Sequence, residues 1–497
     1  MTKETDTMMG YHKPSENKLF HVGIDLDKRI RTDHPLRRIK KTIDFDFIYD
    51  EVKDVYGSNG NISAPPPLVL KLMLLLVFYN VRSERELMAT LPERLDWLWF
   101  LGLDLDSPIP DHSVLSKARK RWGAQPFERF FSRIVRQCVN EGLVDGGKIF
   151  VDSSLVDADA SNNSVIDTKD FDCRVHELEA RLTEKEDKPS LPVNDRFIST
   201  TDPDASIVRR GSSKLRYQVH RSVDGKAEVI TSTETTPGDV NEAHRMEALI
   251  DSHAAHTGMD AGCIVADSKY GTVENFLACH DRGIRAHITD LKKATDKRLA
   301  KKDIFGEDKF TYNSKTDTYT CPAGNTLKPK SLHVNRDAID YGAPKKLCAV
   351  CALRKKCTDN KAGRTVKRHL RQRELDLMRL RSRSSESKRD LRTRKHLMER
   401  SFARATRYGF DRARWRGLWK VSIQEYLTCA IQNIQTLIKY HFKPKRSVSK
   451  PAQTAHNLKT TIFRASTAVY RALLASCGLE IELKLNYPMK LIEAGSW

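Results

Sequence analysis

Two acidic residues that follow short apolar runs are the first candidates for chemistry in this 497-residue sequence. Asp152 comes directly after Ile149-Phe150-Val151, and Asp267 comes directly after Ile264-Val265-Ala266. Runs of this kind are typical of buried strands, and a carboxylate at the end of a buried strand is held in place while its oxygens leave the core. Such carboxylates are suited to binding a divalent metal ion. An Asp at a strand end also commonly caps a turn, so each residue alone is a weak signal.

A third carboxylate is expected beside this pair, because phosphodiester chemistry with two divalent ions requires several acids around one point. Glu399 is the first candidate, since it lies in a segment with a strong helical pattern, Lys388 to Tyr408. The competing acids are Glu374, Glu386 and Glu425. Glu425 ranks second, because it too lies near the apolar face of a predicted helix.

Basic residues surround Glu399 along the same helix. Arg392 and Lys395 precede it by seven and four residues, and Arg404 follows it by five. The first two share its face of the helix, where they could hold phosphates against the metal ions. Ordinary helical ion pairing would produce the same pattern.

Four of the ten cysteines lie close together in the sequence. Cys348 and Cys351 form a CxxC pair, Cys357 follows after five intervening residues, and Cys321 lies 27 residues before Cys348. Four thiolates suit tetrahedral Zn²⁺, which would order a segment of low apolar content. Because short cysteine motifs also occur without a metal, structural zinc and reduced thiols both remain open. The other six cysteines are predicted to be core residues.

The net charge of +21, from 86 Lys and Arg against 65 Asp and Glu, indicates a polyanionic partner. The charge is concentrated, because Lys361 to Lys420 alone contains 21 basic and six acidic residues, a net of +15. This concentration favours nucleic-acid binding over a diffuse solvated surface, although charged runs are often only solvated. The N-terminus lacks a secretory signal and the longest apolar run is too short to span a membrane. A cytoplasmic protein without a membrane partner is therefore expected.

Residues 31–145 are predicted to be helical. Leu68 to Tyr79 is strongly apolar after a run of three prolines, and the stretch Asp111 to Trp122 has a helix cap followed by a basic face. The second of these helices has a basic face composed of Lys117, Arg119, Lys120 and Arg121. Several short helices, one of them basic, suit a helix-turn-helix-like DNA-binding unit. A plain helical bundle with a charged face fits the sequence equally well.

The pattern changes after residue 146 to strand, hairpin, helix, strand, helix, strand. Leu215 to His220 and Ala227 to Thr233 are predicted to form the hairpin, with Asp224-Gly225 in its turn. A mixed α/β sheet that presents two carboxylates from strand ends follows from this order. Strand signals stop in residues 290–390, and helices are predicted again at Lys388 to Tyr408 and Trp419 to Tyr440.

Three segments taken in order resemble the motifs of a known family. They are Ile149 to Ala160, Ile264 to Gly271, and Met398 to Phe402 together with Arg414 to Val421. They look like the motifs of DDE transposases of bacterial insertion sequences, in the cut-and-paste branch with an insertion between the second Asp and the Glu. The resemblance covers about residues 20–440. Two departures are Ser153-Ser154, where the family usually has Gly-Thr, and Arg392 and Lys395, where it often has Tyr and Arg.

The resemblance implies an RNase H-like mixed sheet with flanking helices, preceded by an all-α N-terminal domain and interrupted by the cysteine-containing insertion. It implies that Asp152, Asp267 and Glu399 bind Mg²⁺, or Mn²⁺ in its place. A metal-activated water would free a 3′-OH at the element end, and that hydroxyl would attack target DNA. The partners implied are double-stranded DNA, as terminal inverted repeats and as target, and a second copy of the chain in a homodimer.

The expected division of the chain combines both kinds of inference. It consists of a lead-in (1–30), a helical DNA-binding domain (31–145), the first part of the catalytic core (146–290), an insertion (291–387), the second part of the core (388–442) and a C-terminal tail (443–497). Two rival functions remain open: a nuclease of the same fold without strand transfer, and a non-catalytic DNA-binding protein with a zinc module.

Overall fold

The first part of the chain is helical, as predicted. The computed structural model describes residues 9–11, 25–57, 62–167, 197–291, 301 and 303–441. Its N-terminal helices are α1 (Leu26–Arg29), α2 (Pro35–Thr42), α3 (Ile48–Val52), α4 (Pro66–Phe78), α5 (Glu84–Thr90), α6 (Leu95–Leu101), α7 (Ser113–Trp122) and α8 (Gln125–Asn140). The predicted tail at 443–497 lies outside the described residues.

Local sequence explains where these helices begin. Prolines occupy the first turn of α4, where the missing N–H costs no hydrogen bond. Ser83 caps α5 by accepting a hydrogen bond from the N–H of Glu86 at 3.1 Å. Helix α4 is apolar on every side, and nearly all of its residues are buried, so it forms the centre of the helical segment.

The segment after residue 146 is built on a mixed sheet of six strands. They are β1 (Lys148–Asp157), β4 (Ser206–Arg210), β5 (Ser212–Asp224), β6 (Ile230–Pro237), β7 (Cys263–Ala266) and β8 (Arg285–Ile288). The order is β4-β5-β1-β7-β8, with β6 also paired to β5. Strand β1 is parallel to β7 and antiparallel to β5. The short strands β2 (Val165–Asp167) and β3 (Phe197–Ser199) pair separately.

Helices cover both faces of this sheet. They are α9 (Met246–Thr257) and α10 (Val273–Asp281) on one face, and α14 (Ser385–Thr406) and α15 (Leu418–His441) on the other. Because side chains alternate along a strand, Ile149 and Val151 pack with α9 and α10, whereas Phe150 packs on the opposite face. This mixed α/β architecture confirms the predicted fold class.

The insertion contains a second sheet that the sequence did not predict. Its order is β13-β12-β11-β10-β9, and its elements are β9 (Thr311–Asn313), β10 (Thr318–Thr320), β11 (Thr326–His333), β12 (Ala338–Gly342), α11 (Lys345–Ala349), α12 (Arg354–Cys357), β13 (Thr365–His369) and α13 (Gln372–Arg381). Its apolar cluster is small, with five buried members. Most side chains of β11 are exposed, with Leu327 the buried exception, so the usual apolar pattern of a strand is missing.

The N-terminal helices and the six-stranded sheet share one hydrophobic core. A single buried cluster includes Leu72 of α4, Phe131 of α8, Phe150 of β1 and Leu427 of α15. Both α8 and α4 pack against α15. None of the helices in the described ranges combines the length and the apolarity needed to cross a bilayer.

Candidate active site

Asp152 lies on β1, and Asp267 directly follows the neighbouring strand β7. Strands β1 and β7 are paired in parallel with Phe150 opposite Val265. Asp152 and Asp267 each follow two residues later, so they fall at the same register and on the same face. Asp152 was expected at a strand end, but β1 continues to Asp157 because β5 pairs with it along its full length. The acid therefore lies where β1 has separated from β7 and is still held by β5.

Local backbone hydrogen bonds fix both carboxylates. Oδ1 of Asp152 accepts a hydrogen bond from the N–H of Ser153 at 2.9 Å. Asp267 caps a short 3₁₀ turn, Ser268–Tyr270, and its Oδ1 accepts from the N–H of Lys269 at 2.8 Å. These bonds leave Oδ2 of each residue for other partners.

Arg394 of α14 provides the partner of Asp152. Its Nη1 lies 2.6 Å from Oδ2 of Asp152, and both side chains are largely buried, at 13% and 25% exposure. Burial raises the pKa of Asp152, Arg394 opposes this shift, and the negative charge of Asp267 adds to it. The net shift is upward, as expected where two carboxylates share a site.

Arg394 was not among the residues predicted from the sequence, which on this side of Glu399 were Arg392 and Lys395. The buried residues of α14 are Ser387, Leu397, Met398, Ser401 and Ala405. At about 100° per residue, Arg394 falls on this sheet-facing side, and the apolar pattern around it was the signal that could have found it.

Glu399 itself is exposed. Within the described part of the chain it makes no hydrogen bond or ion pair. It lies about 140° around the helix from Arg394, so its side chain leaves α14 in a different direction from the one that contacts Asp152. Arg392 and Lys395 are also exposed on that flank. The structure thus brings two of the three predicted acids together and leaves the third on the surface of an adjoining helix.

Arg404 is engaged by protein. Arg404 lies 2.5 Å from Oε2 of Glu228, and Arg400 lies 2.6 Å from Oε1 of the same residue. Both arginines remain about half exposed, so the ion pairs lie at the surface.

Glu425 is fully committed to the core. Its carboxylate binds buried Arg221 through two contacts of 2.6 and 2.8 Å, and it also accepts from the hydroxyl of Thr233 at 2.8 Å. Burial alone would raise the pKa of Glu425, but Arg221 lowers it, so the carboxylate is ionised. The pair Arg221–Glu425 therefore leaves no free ligand for a metal.

The remaining acidic competitors are also paired. Glu386 contacts Lys148 at 3.4 Å and Arg285 at 3.3 Å. Glu374 binds Arg371, three residues before it on the same segment. Each of these acids thus has an established cationic partner.

The basic helix α7 exposes three of its four predicted DNA-binding residues. Lys117, Lys120 and Arg121 are exposed. Arg119 is 4% exposed and binds Glu84, with its guanidinium 4.1 Å from the ring centre of Trp415. Arg119 thus joins α7 to the segment before α15 and does not present a cation to solvent.

The four cysteines of the insertion meet at one small cavity of about 30 Å³. The lining includes Cys321, Cys348, Cys351 and Cys357. Burial raises the pKa of Cys357, and the proximity of the other three thiols raises it further against the opposing effect of Arg364. The four sulfur atoms do not all lie within 4.8 Å of one another. An ion bound by all four would therefore have to draw them closer together.

Two other groups of potential ligands converge to within 4.8 Å among the described residues. One is His280, Asp281 and Glu374, and the other is Cys263, His287 and Asp390. In the second, Lys148 lies 2.8 Å from Asp390, so a cation already neutralises that carboxylate. In the first, Arg371 binds both acids.

Two family models match the chain. One, described as "Transposase domain (DUF772)", matches residues 24–121, and the other, described as "Transposase DDE domain", matches residues 320–438. The first range coincides with α1 to α7, and the second runs from the end of β10 nearly to the end of α15. No curated protein and no solved structure matches the chain.

Together with the mixed sheet, these matches define an RNase H-like enzyme that acts on DNA in transposition. The two matches support a DDE transposase of an insertion sequence. The second matched range includes Glu399 but neither Asp152 nor Asp267, so the positions of those two acids rest on the strand register described above.

Proposed function

We propose that this transposase cuts DNA at the ends of its insertion sequence and joins the freed 3′-OH to target DNA. The observation that carries the proposal is that Asp152 and Asp267 each lie two residues beyond the last pair, Phe150 and Val265, of neighbouring parallel strands. Strand transfer follows from the same site, because cutting and joining both replace one oxygen at a phosphorus by another.

The paired acids fit a divalent ion such as Mg²⁺, or Mn²⁺ in its place. Oxygen ligands are the ones these ions prefer, and the upward effect of Asp267 on the pKa of Asp152 is a repulsion that a cation would relieve. When bound, such ions activate an attacking oxygen and stabilise a leaving one. In this structure the guanidinium of Arg394 supplies the positive charge at Asp152. We infer that, when a metal ion binds Asp152, the Arg394 side chain can instead bind a phosphate of the DNA.

Glu399 remains the proposed third acid, by comparison with its competitors. Glu425, Glu386 and Glu374 each have a cationic partner, whereas Glu399 is exposed and unpaired within the described residues. Because Arg392 and Lys395 share its flank, DNA bound there would lie against both the acid and the cations.

The proposed DNA-binding surface combines two segments. In α7 it includes Lys117, Lys120 and Arg121, but not the buried Arg119. In α14 it includes Arg392 and Lys395, with Arg404 joining if DNA competes with Glu228. Lysine and arginine at these positions would neutralise phosphates without reading sequence. The helical residues 31–145 would recognise the element ends.

We also propose that Cys321, Cys348, Cys351 and Cys357 bind one structural Zn²⁺. Four thiols around one cavity supply a complete tetrahedral set, and the insertion has a small apolar core that an ion would supplement. Metal analysis of purified protein should give one zinc per chain, and C348S should remove it. C279A, at a buried cysteine outside the insertion, should retain it. A zinc-free wild-type protein purified without chelators would contradict this assignment.

Two further expectations complete the proposal. Pairing two element ends requires at least a dimer during the reaction, which sedimentation of the protein with end DNA would reveal. Because its substrate is chromosomal DNA, the protein is expected to be located in the cytoplasm at the nucleoid. Both follow from the proposed reaction.

The reaction is tested with a duplex that carries the element end and its flank, whose sequence comes from the DNA on either side of the gene. Wild type in Mg²⁺ should cut the duplex and join the 3′-OH to a second duplex. D152N and D267N should abolish both products, whereas D251N, at an exposed residue paired with Arg282, should not. Cutting without joining would favour the nuclease, and binding without cutting would favour the non-catalytic DNA-binding protein.

A further inference from the structure

Glu242 is a buried acid close to the proposed catalytic pair that plays no part in the function described so far. It begins the 3₁₀ turn Glu242–Arg245, immediately before α9. The preceding residue, Asn241, caps this turn by accepting a hydrogen bond from the N–H of Ala243 at 3.1 Å. The side chain of Glu242 is only 6% exposed, and a buried carboxylate is costly unless other groups compensate its charge.

The contacts of Glu242 connect the two chain segments that carry the acids. One of its oxygens, Oε2, accepts hydrogen bonds from the hydroxyl of Ser153 and, at 3.4 Å, from Nε2 of Gln218. The other, Oε1, lies 2.5 Å from Nζ of Lys269. Ser153 directly follows Asp152, and Lys269 comes two residues after Asp267. One carboxylate therefore binds both segments.

Gln218 strengthens this connection from β5. Its Nε2 also donates to the hydroxyl of Ser153 at 2.7 Å. Ser153 thus lies between a strand neighbour and Glu242, and its side chain points to the opposite face of the sheet from Asp152. The backbone N–H of the same Ser153 donates to Oδ1 of Asp152, so a shift of Ser153 would move the catalytic acid.

Tyr270 shows independently how close the three acids are to one another. Its side chain is fully buried. Burial raises the pKa of its phenol most, and the charges of Glu242, Asp152 and Asp267 raise it further, against an opposing effect of Ser153. All three carboxylates therefore lie close enough to act on one ring.

We propose that Glu242 is a positioning residue for the acid pair, which fixes the separation of Asp152 and Asp267 by binding Ser153 and Lys269 together. The proposal rests on the proposed function in that these two acids bind the metal. Stability alone is a weak explanation for the contact, because the partner Lys269 is 63% exposed and an ion pair with such a residue contributes little.

The test compares E242Q and E242D with E247Q, a matched control on α9 whose exposed carboxylate pairs with Arg282. Calorimetric titration with Mn²⁺ measures binding without any reaction, and thermal unfolding shows whether each variant is folded. In metalloproteins, removal of a group that orients the ligands commonly weakens metal affinity by about 10- to 100-fold. We expect E242Q to raise the Kd for Mn²⁺ by about 10-fold with little change in Tm, E242D to recover part of the affinity, and E247Q to match wild type.

Coupling distinguishes positioning from a general weakening of packing. S153A and E242Q remove the same connection, so their effects on the Kd for Mn²⁺ should be far from additive. If E242Q is folded and binds Mn²⁺ like wild type, or if its effect adds fully to that of S153A, the proposal is wrong.

The outcomes also separate this proposal from the proposed reaction. If wild type and E242Q differ in Mn²⁺ affinity and D152N abolishes binding, Glu242 positions the acids even where no DNA cleavage is found. If wild type cleaves DNA and E242Q shows the same Mg²⁺ dependence and affinity, the reaction stands and the role of Glu242 fails. If wild type does not bind Mn²⁺, both fail.

Discussion

Helices α14 and α15 each carry a glutamate that the sequence offered as the third catalytic acid, and the structure treats them in opposite ways. Glu399 of α14 is exposed on a basic flank. Glu425 of α15 is buried and bound by Arg221. Helix α15 packs between the sheet and the N-terminal helices, whereas α14 has a solvent-facing side. The difference shows that the carboxylate near the apolar face is neutralised by a buried cation, whereas the one on the polar flank remains available for a ligand.

The largest expected effect concerns Glu399. If it binds a metal ion, E399Q should reduce DNA cleavage on the order of 1000-fold, since removal of several kcal/mol of transition-state stabilisation has that effect. The initial rate on end DNA in Mg²⁺ measures it. E386Q, on the same helix and paired with Lys148 and Arg285, serves as the control and should stay within a few-fold of wild type. Equal cleavage rates for E399Q and wild type would show that the third metal-binding acid is another residue.

Glu425 should instead control stability. E425A leaves the Arg221 guanidinium buried without its partner, and breaking such a pair costs about 3–5 kcal/mol of the free energy of unfolding. Urea unfolding measures the change. E399A should alter it by less than about 0.5 kcal/mol, as is usual for exposed positions. An E425A protein as stable as wild type would refute a structural role for the pair.

A smaller effect is expected on the basic flank of α14. Each cation that neutralises a phosphate contributes about 0.9 to the slope of log affinity against log salt, so R392A and K395A should each flatten the slope by about that amount. Fluorescence anisotropy with end DNA across a salt series measures the slope. R282A provides the control, because Arg282 pairs with Glu247 and Asp251 beside the opposite face of the sheet. An unchanged slope in both flank variants would place the DNA on another surface.

The smallest effect concerns pH and Asp152. Its pKa in the folded protein is raised from the ordinary 3.8, so the folded state holds this proton more tightly than the unfolded state. The stability conferred by protonation is present below pH 3.8 and is lost as pH rises through the folded-state pKa. In metal-free buffer, D152N should therefore gain in Tm relative to wild type at neutral pH, and the gain should shrink towards acid pH. A loss of Tm in D152N at neutral pH that shrinks on acidification would show that Arg394 dominates and lowers the pKa of Asp152.

Sequence patterns were sufficient to predict the bounds of a helix or strand where that element buries one regular face. The strand Cys263 to Ala266 and the helix around Lys388 to Tyr408 match β7 and α14 closely. The length of β1 was underestimated, because Ser153 and Ser154 break the apolar pattern although β5 supplies their backbone partners. The insertion sheet was missed because β11 buries only Leu327 of its eight residues.

The residues of the candidate site likewise divide into those predicted from the sequence and those that only the structure shows. Asp152 and Asp267 were found because each follows an apolar run, and their shared register required the structure. Arg394 and Glu242 were missed, because one depends on the rotation of α14 and the other on contacts between segments far apart in sequence. Arg119 was assigned to DNA, and only its contacts with Glu84 and Trp415 reveal that it serves the protein interior.

The hydrophobic cluster shared by the N-terminal helices and the six-stranded sheet limits how related proteins could exchange these two regions. Arg414 binds the backbone carbonyl of Val81, and Trp415 donates to Glu84 at 3.2 Å. A hybrid that takes its first 145 residues from a distant relative would inherit mismatched partners for these side chains and for α15. If α7 contacts the element ends as proposed, new end specificity would have to arise through surface changes on α7, or by inheritance of both halves of the contact as one unit.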